Sequence, residues 1–284
     1  MNILVTGCNG FLAKEVIDFF SNFPNYNLIK TNRQSLDLND KAKVDSFFAE
    51  NKVDFVIHTA VCGGKRGQKD TIEDFYSNIR MFDNLYKNSN KFKMMINFGS
   101  GAEFDKRTSI RDVPEDLVFD KLPHDYYGLA KNLISRRIRQ SSNVVNLRIF
   151  GCFGVHELPT RLITNTINRL INGEKPVANG DVYFDFMYAP DVCRVVKFFI
   201  DNHEETQIKD LNLCYENKKT IKEIIFLIKN LTNIELDVIL NENDKHYTGS
   251  GLQLADLKIP LVGLEQGIAE ILRFYEIKQF GHHK

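Results

Sequence analysis

NILVTGCNGFLA, residues 2–13, is the stretch on which the fold turns. The apolar run over 2–6 has the length of a buried strand. Gly7-Cys8-Asn9-Gly10 interrupts it, and Phe11, Leu12, Val16, Ile17, Phe19 and Phe20 then recur at the spacing of a partly buried helix. Gly7 permits a tight turn, Gly10 lets backbone approach a pyrophosphate, and Ala13 is small enough for helix and sheet to pack closely. The start of that helix offers uncommitted N–H groups and a favourable dipole to phosphates. A glycine pair alone is weak evidence. Placed at the first strand–helix junction, it predicts a dinucleotide site that includes Gly7, Asn9, Gly10, Phe11 and Leu12.

The alternation continues outward from this turn. Leu28-Ile29 leads through a polar turn to a helix over 41–50, and Phe55-Val56-Ile57 leads through a glycine-rich loop to a helix over 70–87. MMINF, 94–98, ends at Gly99-Ser100-Gly101, and VVNLRI, 144–149, follows a helix over 125–139. Strands separated by helical crossovers require a parallel sheet covered on both faces. The expected class is therefore α/β, a Rossmann-type doubly wound parallel sheet. After Phe150, glycines and prolines at 151, 154, 159, 173, 176 and 180 punctuate shorter elements, which predicts a smaller C-terminal substrate-binding lobe. A helix over 192–200 and a strand over 210–214 are expected to return to the sheet. Helices over 221–231 and 264–275 and a polar tail over 280–284 complete the pattern. The expected organisation is a dinucleotide-binding domain of 1–150 completed by 191–213, interleaved with a lobe made of 151–190 and 214–284.

Composition narrows the partners. With 37 basic and 37 acidic side chains in 284 residues and no Lys/Arg tract, the chain is no polyanion binder, so a small molecule is expected and nucleic acid is not. No stretch reaches the eighteen or so apolar residues of a membrane span, and MNILVTG carries no basic leader; a cytoplasmic protein without membrane attachment is expected. The five cysteines, 8, 62, 152, 193 and 214, are odd in number with no CxxC pair, which supports neither a disulfide framework nor a metal site.

Two further segments carry chemistry. KTNRQS, 30–35, ends the second strand without the carboxylate that would repel a 2′-phosphate, and Arg33, assisted by Asn32 or Ser35, can clamp that phosphate. NADPH is therefore expected in preference to NADH, with Asp37 and Leu38 at the adenine edge. In YGLAK, 127–131, Tyr127 and Lys131 lie four residues apart on one helix face, so the ammonium is expected to draw the phenol pKa down and to hold a ribose hydroxyl. Ser100, just past the end of its strand, can stabilise a developing oxyanion while Tyr127 transfers a proton. The local string FGSGA, 98–102, lacks the GxSxG elbow of a serine hydrolase.

These segments together resemble the extended short-chain dehydrogenase/reductase family, in particular the branch containing GDP-L-fucose synthase and related nucleotide-sugar reductases and epimerases. The resemblance rests on TGCNGFLA (6–13), HTAVCGG (58–64), FYSN (75–78), FGSG (98–101), YGLAK (127–131), FDFMYAPDV (184–192), and LADLKI (254–259) followed by GLEQGIAEILRFY (263–275). It implies catalytic roles for Ser100, Tyr127 and Lys131, with Tyr127 and Lys131 also touching the cofactor, and it places Arg33 at the basic position associated with NADP. It puts Thr59 and Ala60 in the cofactor loop, gives His58 a structural role, and makes Asn78 a support of the active-site helix. Gly64 and Lys65, with Arg66 and Arg161, are implied to approach the nucleotide sugar. The departures matter most for activity. Ala102 stands where the fucose-synthase branch has a cysteine, and Arg161 near its histidine, so C3/C5 epimerisation is expected to be lost unless His156 or Cys152 substitutes. Gly151 and Phe184 replace an asparagine and an arginine, implying an altered substrate pocket with Phe184 available for base stacking. The implied activity is NADPH-dependent reduction of a nucleotide-diphosphate 4-keto-deoxysugar. The alternatives are a bifunctional epimerase/reductase, an NAD(P)-retaining 4-epimerase, and a noncatalytic dinucleotide-binding scaffold; a 4,6-dehydratase is disfavoured because no Asp-Glu pair lies beside the serine. A homodimer through the helices over 70–87 and 125–139 is implied too; the apolar spacing of Ile72, Phe75, Ile79 and Phe82 is compatible with that role and equally with core packing against the sheet.

Overall fold

The computed structural model describes residues 1–65 and 67–280, without the side chains of 276–280, so Arg66 and the tail over 281–284 lie outside the described residues. In chain order the elements are β1 (Asn2–Thr6), α1 (Phe11–Ser21), β2 (Asn27–Lys30), α2 (Lys41–Glu50), β3 (Phe55–His58), α3 (Ile72–Tyr86), β4 (Met94–Ser100), β5 (Ile110–Val113), α4 (Tyr126–Ile138) and β6 (Val144–Ile149). They continue with β7 (Cys152–Phe153), α5 (Leu162–Ile171), β8 (Val177–Asn179), β9 (Met187–Tyr188), α6 (Ala189–Asp201), β10 (Asp210–Leu213), α7 (Ile221–Thr232), β11 (Ile239–Asn241), β12 (Tyr247–Gly249), α8 (Leu252–Asp256) and α9 (Leu264–Phe280).

Six strands form one parallel sheet in the order β10-β6-β4-β3-β1-β2. Alternate side chains of a strand point to opposite faces, and here both sets are apolar. Ile3, Val5, Ile57 and Ile96 pack on one face against Val16 and Phe20 of α1 and Val192, Val196 and Phe199 of α6. Leu4, Val56 and Met95 pack on the other against Val44 and Phe48 of α2, Phe82 and Leu85 of α3, and Ile134 and Ile138 of α4. A sheet apolar on both sides buries itself only between two helical layers, as expected from the sequence. Of the apolar stripe on α3, Phe82 belongs to this core, whereas Ile72 is half exposed. The chain leaves β1 toward β2 on one side and toward β3 on the other, so the crevice at the carboxyl ends of β1 and β3 is the switch point of the sheet.

The remaining elements form a smaller lobe. Its core is built from Ile163 and Ile167 of α5, Ile224 and Ile228 of α7, and Ile268 and Ile271 of α9. Three two-stranded pairs, β11-β8, β12-β5 and β7-β9, flank it. The β12-β5 pair ties the C-terminal segment back to the chain between β4 and α4, directly behind the sheet's carboxyl edge. Among the described residues no helix is long and apolar enough to cross a membrane, and no group of three His, Cys, Asp or Glu side chains is placed to hold a metal ion.

Candidate active site

The glycine turn is built as an open cradle. Gly7 has φ +64° and lies so close to the next crossover that a Cβ there would stand 2.8 Å from Ala60 Cα. Thr6 Oγ1 lies 2.9 Å from His58 Nδ1 and accepts from the Ala60 N–H at 3.2 Å, while the Thr59 hydroxyl donates to the Thr6 carbonyl. The ends of β1 and β3 are thereby latched. Burial, with the charge of Lys131, pulls His58 down to about 3, which keeps the ring neutral and structural. Gly10 is the N-cap of α1 and supplies no side chain to its first N–H groups. An uncapped helix start behind an exposed turn, Asn9-Gly10, fits a dinucleotide diphosphate. Phe11 and Leu12 pack into the core, so what they present to such a ligand is backbone.

At the end of β2 the predicted roles are only partly met. Asn32 Oδ1 accepts from the N–H groups of Gln34 (2.9 Å) and Ser35 (3.1 Å), and Ser35 Oγ accepts from Asn32 N. These two side chains close the turn and are not free assistants of Arg33. Arg33 itself extends into solvent, 81% exposed, with Asp37 3.8 Å away. Leu38 is buried in the core with Leu36, Val44 and Phe48, so its side chain is committed to packing. Asn78 is placed as a support of the loop after β3. Its buried amide accepts from Cys62 N (3.0 Å) and donates to Cys62 O and Asp74 O (both 2.8 Å), fixing the loop after β3 to α3.

Ser100, Tyr127 and Lys131 come together. Asp125 caps α4 by accepting from Gly128 N at 2.8 Å, which starts the helix at the tyrosine. One turn on, Lys131 Nζ donates to Phe98 O at 2.7 Å and stands 6.0 Å from the Tyr127 ring centre. Ser100 closes β4, near enough to the Tyr127 phenol to help hold its pKa down. The expected effect of lysine on the phenol is not what dominates. Burial pushes Tyr127 up to about 12, the neighbouring Ser100 hydroxyl works against it, and Glu103, Asp70 and Asp125 push the same way as burial. Burial also pulls Lys131 down to about 8, opposed by Glu103. Gly64, with φ +68°, lies flat on the Tyr127 ring, where a Cβ would come within 2.8 Å of it.

The serine turn is anchored from below by residues sequence reasoning missed. Glu103 Oε1 accepts from Ser100 N at 2.8 Å, completing a capping box with the serine. The S-x-x-E spacing of Ser100 and Glu103 was the available signal. Glu103 and Arg148 are both wholly buried. Arg148 donates from Nε to Glu103 at 2.8 Å, from a terminal nitrogen to Asp210 at 2.5 Å and from the other to Asn212 at 2.8 Å. Tyr247 is the other omission: a Cβ on Gly101, the residue after the serine, would stand 2.7 Å from its hydroxyl. It sits on a three-residue strand with no periodic signal.

The expected substrate residues divide. Gly64 touches Tyr127, Lys65 follows it in the exposed loop, and Phe184 stacks on Phe186 (4.7 Å) and Tyr247 (5.1 Å), one ring removed from the serine. Ala102 is buried and contributes its N–H, which donates to Ser100 Oγ at 3.1 Å. Arg161 stands at the start of α5 with its Nε 3.8 Å from Glu157. Cys152 is corrected: it is buried in the main core, where burial raises its thiol pKa well above the ordinary value. His156 is engaged with α1, its Nε2 2.6 Å from Asp18 and its N–H on Glu15 at 2.9 Å.

The profile of the NAD dependent epimerase/dehydratase family matches residues 3–214. GDP-L-colitose synthase of Yersinia pseudotuberculosis is 23% identical over 248 residues, covering 78% of this chain and 79% of that protein. GDP-6-deoxy-D-talose 4-dehydrogenase of Aggregatibacter actinomycetemcomitans is 22% identical over 251 residues, 85% of this chain and 84% of that protein. The fold is shared with the NADP-bound GDP-mannoheptose C4 reductase MlghC of Campylobacter jejuni, with a TM-score of 0.84, 18% identity, and coverage of 97% of this chain and 98% of that one.

Proposed function

The chain belongs to the NAD dependent epimerase/dehydratase family, and from that premise we propose that it is an NADPH-dependent reductase of the 4-keto group of a nucleotide-activated deoxysugar, acting without C3/C5 epimerisation. The observation that carries this reading is the placement of Tyr127, one helical turn from Lys131 on α4, with Ser100 at the end of β4, at the same sheet edge as the open Gly7–Gly10 turn. The bound nicotinamide supplies the hydride to the carbonyl carbon. Tyr127 gives a proton to the carbonyl oxygen, and Ser100 donates a hydrogen bond to the same atom. Lys131, with one N–H on Phe98 O, has two more donors for a ribose hydroxyl. The raised phenol pKa keeps Tyr127 protonated, the state in which it enters the reductive direction. In this reading 1–150 and 191–213 hold the cofactor, and 151–190 and 214–284 hold the nucleotide sugar with Gly64, Lys65, Arg161 and Phe184.

The loss of epimerisation is supported by side-chain placement. Alanine occupies 102, Cys152 is buried in the core and His156 is paired with Asp18, so none of the three is presented as a carbon acid–base group. The relatives named above act, by their names, on GDP-linked sugars. The test is a panel of GDP-, CDP- and dTDP-linked 4-keto-6-deoxy sugars. At least one should cause stoichiometric NADPH oxidation; folded enzyme that oxidises NADPH with none of them removes this activity.

Cofactor choice rests on Arg33. Charge-assisted hydrogen bonds contribute about 1.5–3 kcal/mol, so Arg33→Ala should weaken NADPH roughly 10- to 100-fold and leave NADH almost unchanged. Fluorescence titration with both cofactors reads this directly, and equal losses for the two would assign the 2′-phosphate to other residues. The reading also includes a homodimer through α3 and α4, whose outer faces leave Ile72 48% and Tyr76 51% exposed. Light scattering should give twice the mass of one chain, and a monomer at micromolar concentration would refute it.

A further inference from the structure

The small lobe carries a buried acid that the reaction so far described does not use. Glu157 follows β7, and its side chain is 1% exposed. Thr164 Oγ1 of α5 donates to Glu157 Oε2 at 2.9 Å. Oε1 is buried as well and has no hydrogen-bond partner among the described residues; Arg161 Nε stands 3.8 Å from it. An unpaired carboxylate oxygen is costly in a protein interior, and a shift of the guanidinium by roughly 1 Å would give Nε a charge-assisted hydrogen bond to it. Arg161 itself is unusual for its place. It is the N-cap of α5 and makes no capping hydrogen bond with its side chain, so a cation stands at the positive end of the helix dipole. That arrangement is unfavourable for the helix alone and favourable for an arriving anion. The segment leading to it lies on the helix that starts at the Gly7–Gly10 turn: His156 N–H donates to Glu15 Oε1 of α1 at 2.9 Å, and a Cβ on Gly154 would stand 2.8 Å from Glu15 Cδ.

We propose that Glu157 is a positioning residue of the substrate site: its carboxylate pins the guanidinium of Arg161, whose remaining donors take the diphosphate of the nucleotide sugar. The proposal rests on the reading of Arg161 as a contact of the nucleotide sugar. An arginine has five N–H donors, and one spent on Glu157 leaves the rest for phosphate oxygens. Arginine is among the side chains that lose most conformational freedom when fixed, and a tether already in place bears that loss before the ligand arrives. Repulsion between the carboxylate and the diphosphate is the smaller effect, because the guanidinium lies between them and its outer side, 41% of the side chain being exposed, is screened by solvent. Burial pushes Glu157 up to about 7; Thr164 and Arg161 of α5 work against it, and Glu15 of α1 adds to it. Cys152 of β7, close by, stays a neutral thiol because burial raises it well above its ordinary value. The tether is therefore charged above neutral pH and discharged below it.

The test is titration of NADPH-saturated enzyme with GDP-mannose, CDP-glucose and dTDP-glucose, whose 4-hydroxyl cannot accept hydride and whose diesterified diphosphate does not titrate near neutral pH. With the tightest of the three, Arg161→Ala should weaken binding roughly 10- to 100-fold, the worth of a charge-assisted contact, and Glu157→Gln roughly 3- to 10-fold. Added to Arg161→Ala, Glu157→Gln should cost nothing further, because there is no guanidinium left to pin. A merely structural acid would lack the pH signature: wild-type affinity should fall several-fold from about pH 8 to about pH 6, and the slope should vanish in Glu157→Gln. Should Glu157→Gln fold poorly, Arg161→Ala changes a half-exposed side chain and keeps the test, since its affinity should be equally flat with pH. Binding of none of the three sugars, Arg161→Ala within about twofold of the wild type, an equal further loss from Glu157→Gln in that background, or a flat wild-type profile would each overturn the proposal. The expected binding with no turnover of any 4-keto sugar overturns the reductase reading alone, whereas turnover that is indifferent to Arg161 and Glu157 overturns this proposal alone.

Discussion

Tyr127→Phe should lower kcat about 10²- to 10⁴-fold, the usual contribution of a positioned proton donor, while NADPH affinity stays within about twofold. The substitution removes one oxygen and little else. The ring remains under Gly64, Asp125 still caps α4, and Lys131 still donates to Phe98 O. What disappears is the phenol O–H beside Ser100, the proton this reading sends onto the carbonyl oxygen after the hydride. Because the phenol is held near 12 by burial, activity should not fall through ordinary phenol ionisation as pH rises toward 10. A variant as active as the wild type would take Tyr127 out of the proton path, and one that has lost NADPH binding would make it a cofactor residue instead.

Arg148→Met is expected to have the largest effect on stability, about 3–5 kcal/mol, because removing one partner of a buried ion pair leaves the other uncompensated. Arg148 and Glu103 have no exposed side-chain surface, and Asp210, pushed up to about 6 chiefly by burial, depends on the same guanidinium. The unfolding temperature should drop by on the order of 10 °C. Adding Glu103→Leu should recover part of the loss, since the stranded carboxylate is then gone. The single variant should also lose turnover, because Glu103 fixes the Ser100 backbone through Oε1. A melting temperature within about 2 °C of the wild type would show that the cluster is hydrated or otherwise compensated.

Much of this was legible in the sequence, for identifiable reasons. The strands of the main sheet announce themselves as apolar runs because both of their faces are buried, and even β10 was placed by its own composition after a covering helix. The Tyr127–Lys131 spacing gave the helix face correctly because helical geometry is local. It did not give the electrostatics: Lys131 turns to the Phe98 carbonyl, and desolvation outweighs a charge 6.0 Å from the ring centre. α5 went unrecognised although Ile163, Ile167 and Leu170 have helical spacing, because flanking glycines and prolines drew attention to turns. Cys152 and Leu38 were assigned to ligand because they follow strands or turns near the site. Which way such a side chain points depends on tertiary packing. Tyr247 had no local signal at all; it follows the polar stretch NENDKH and comes beside Gly101 through the pairing of β12 with β5.

The central claim is that the Ser100, Tyr127 and Lys131 cluster reduces a carbonyl at C4 and does nothing at the neighbouring carbons. Tracing hydrogen through one turnover tests it most directly, using NADPH deuterated at the transferable position in ordinary water, and ordinary NADPH in deuterated water. The account predicts one deuterium at C4 of the product from the labelled cofactor and none at C3 or C5 from the solvent. A product without cofactor deuterium at C4, or one that carries solvent deuterium at C3 or C5, would contradict it.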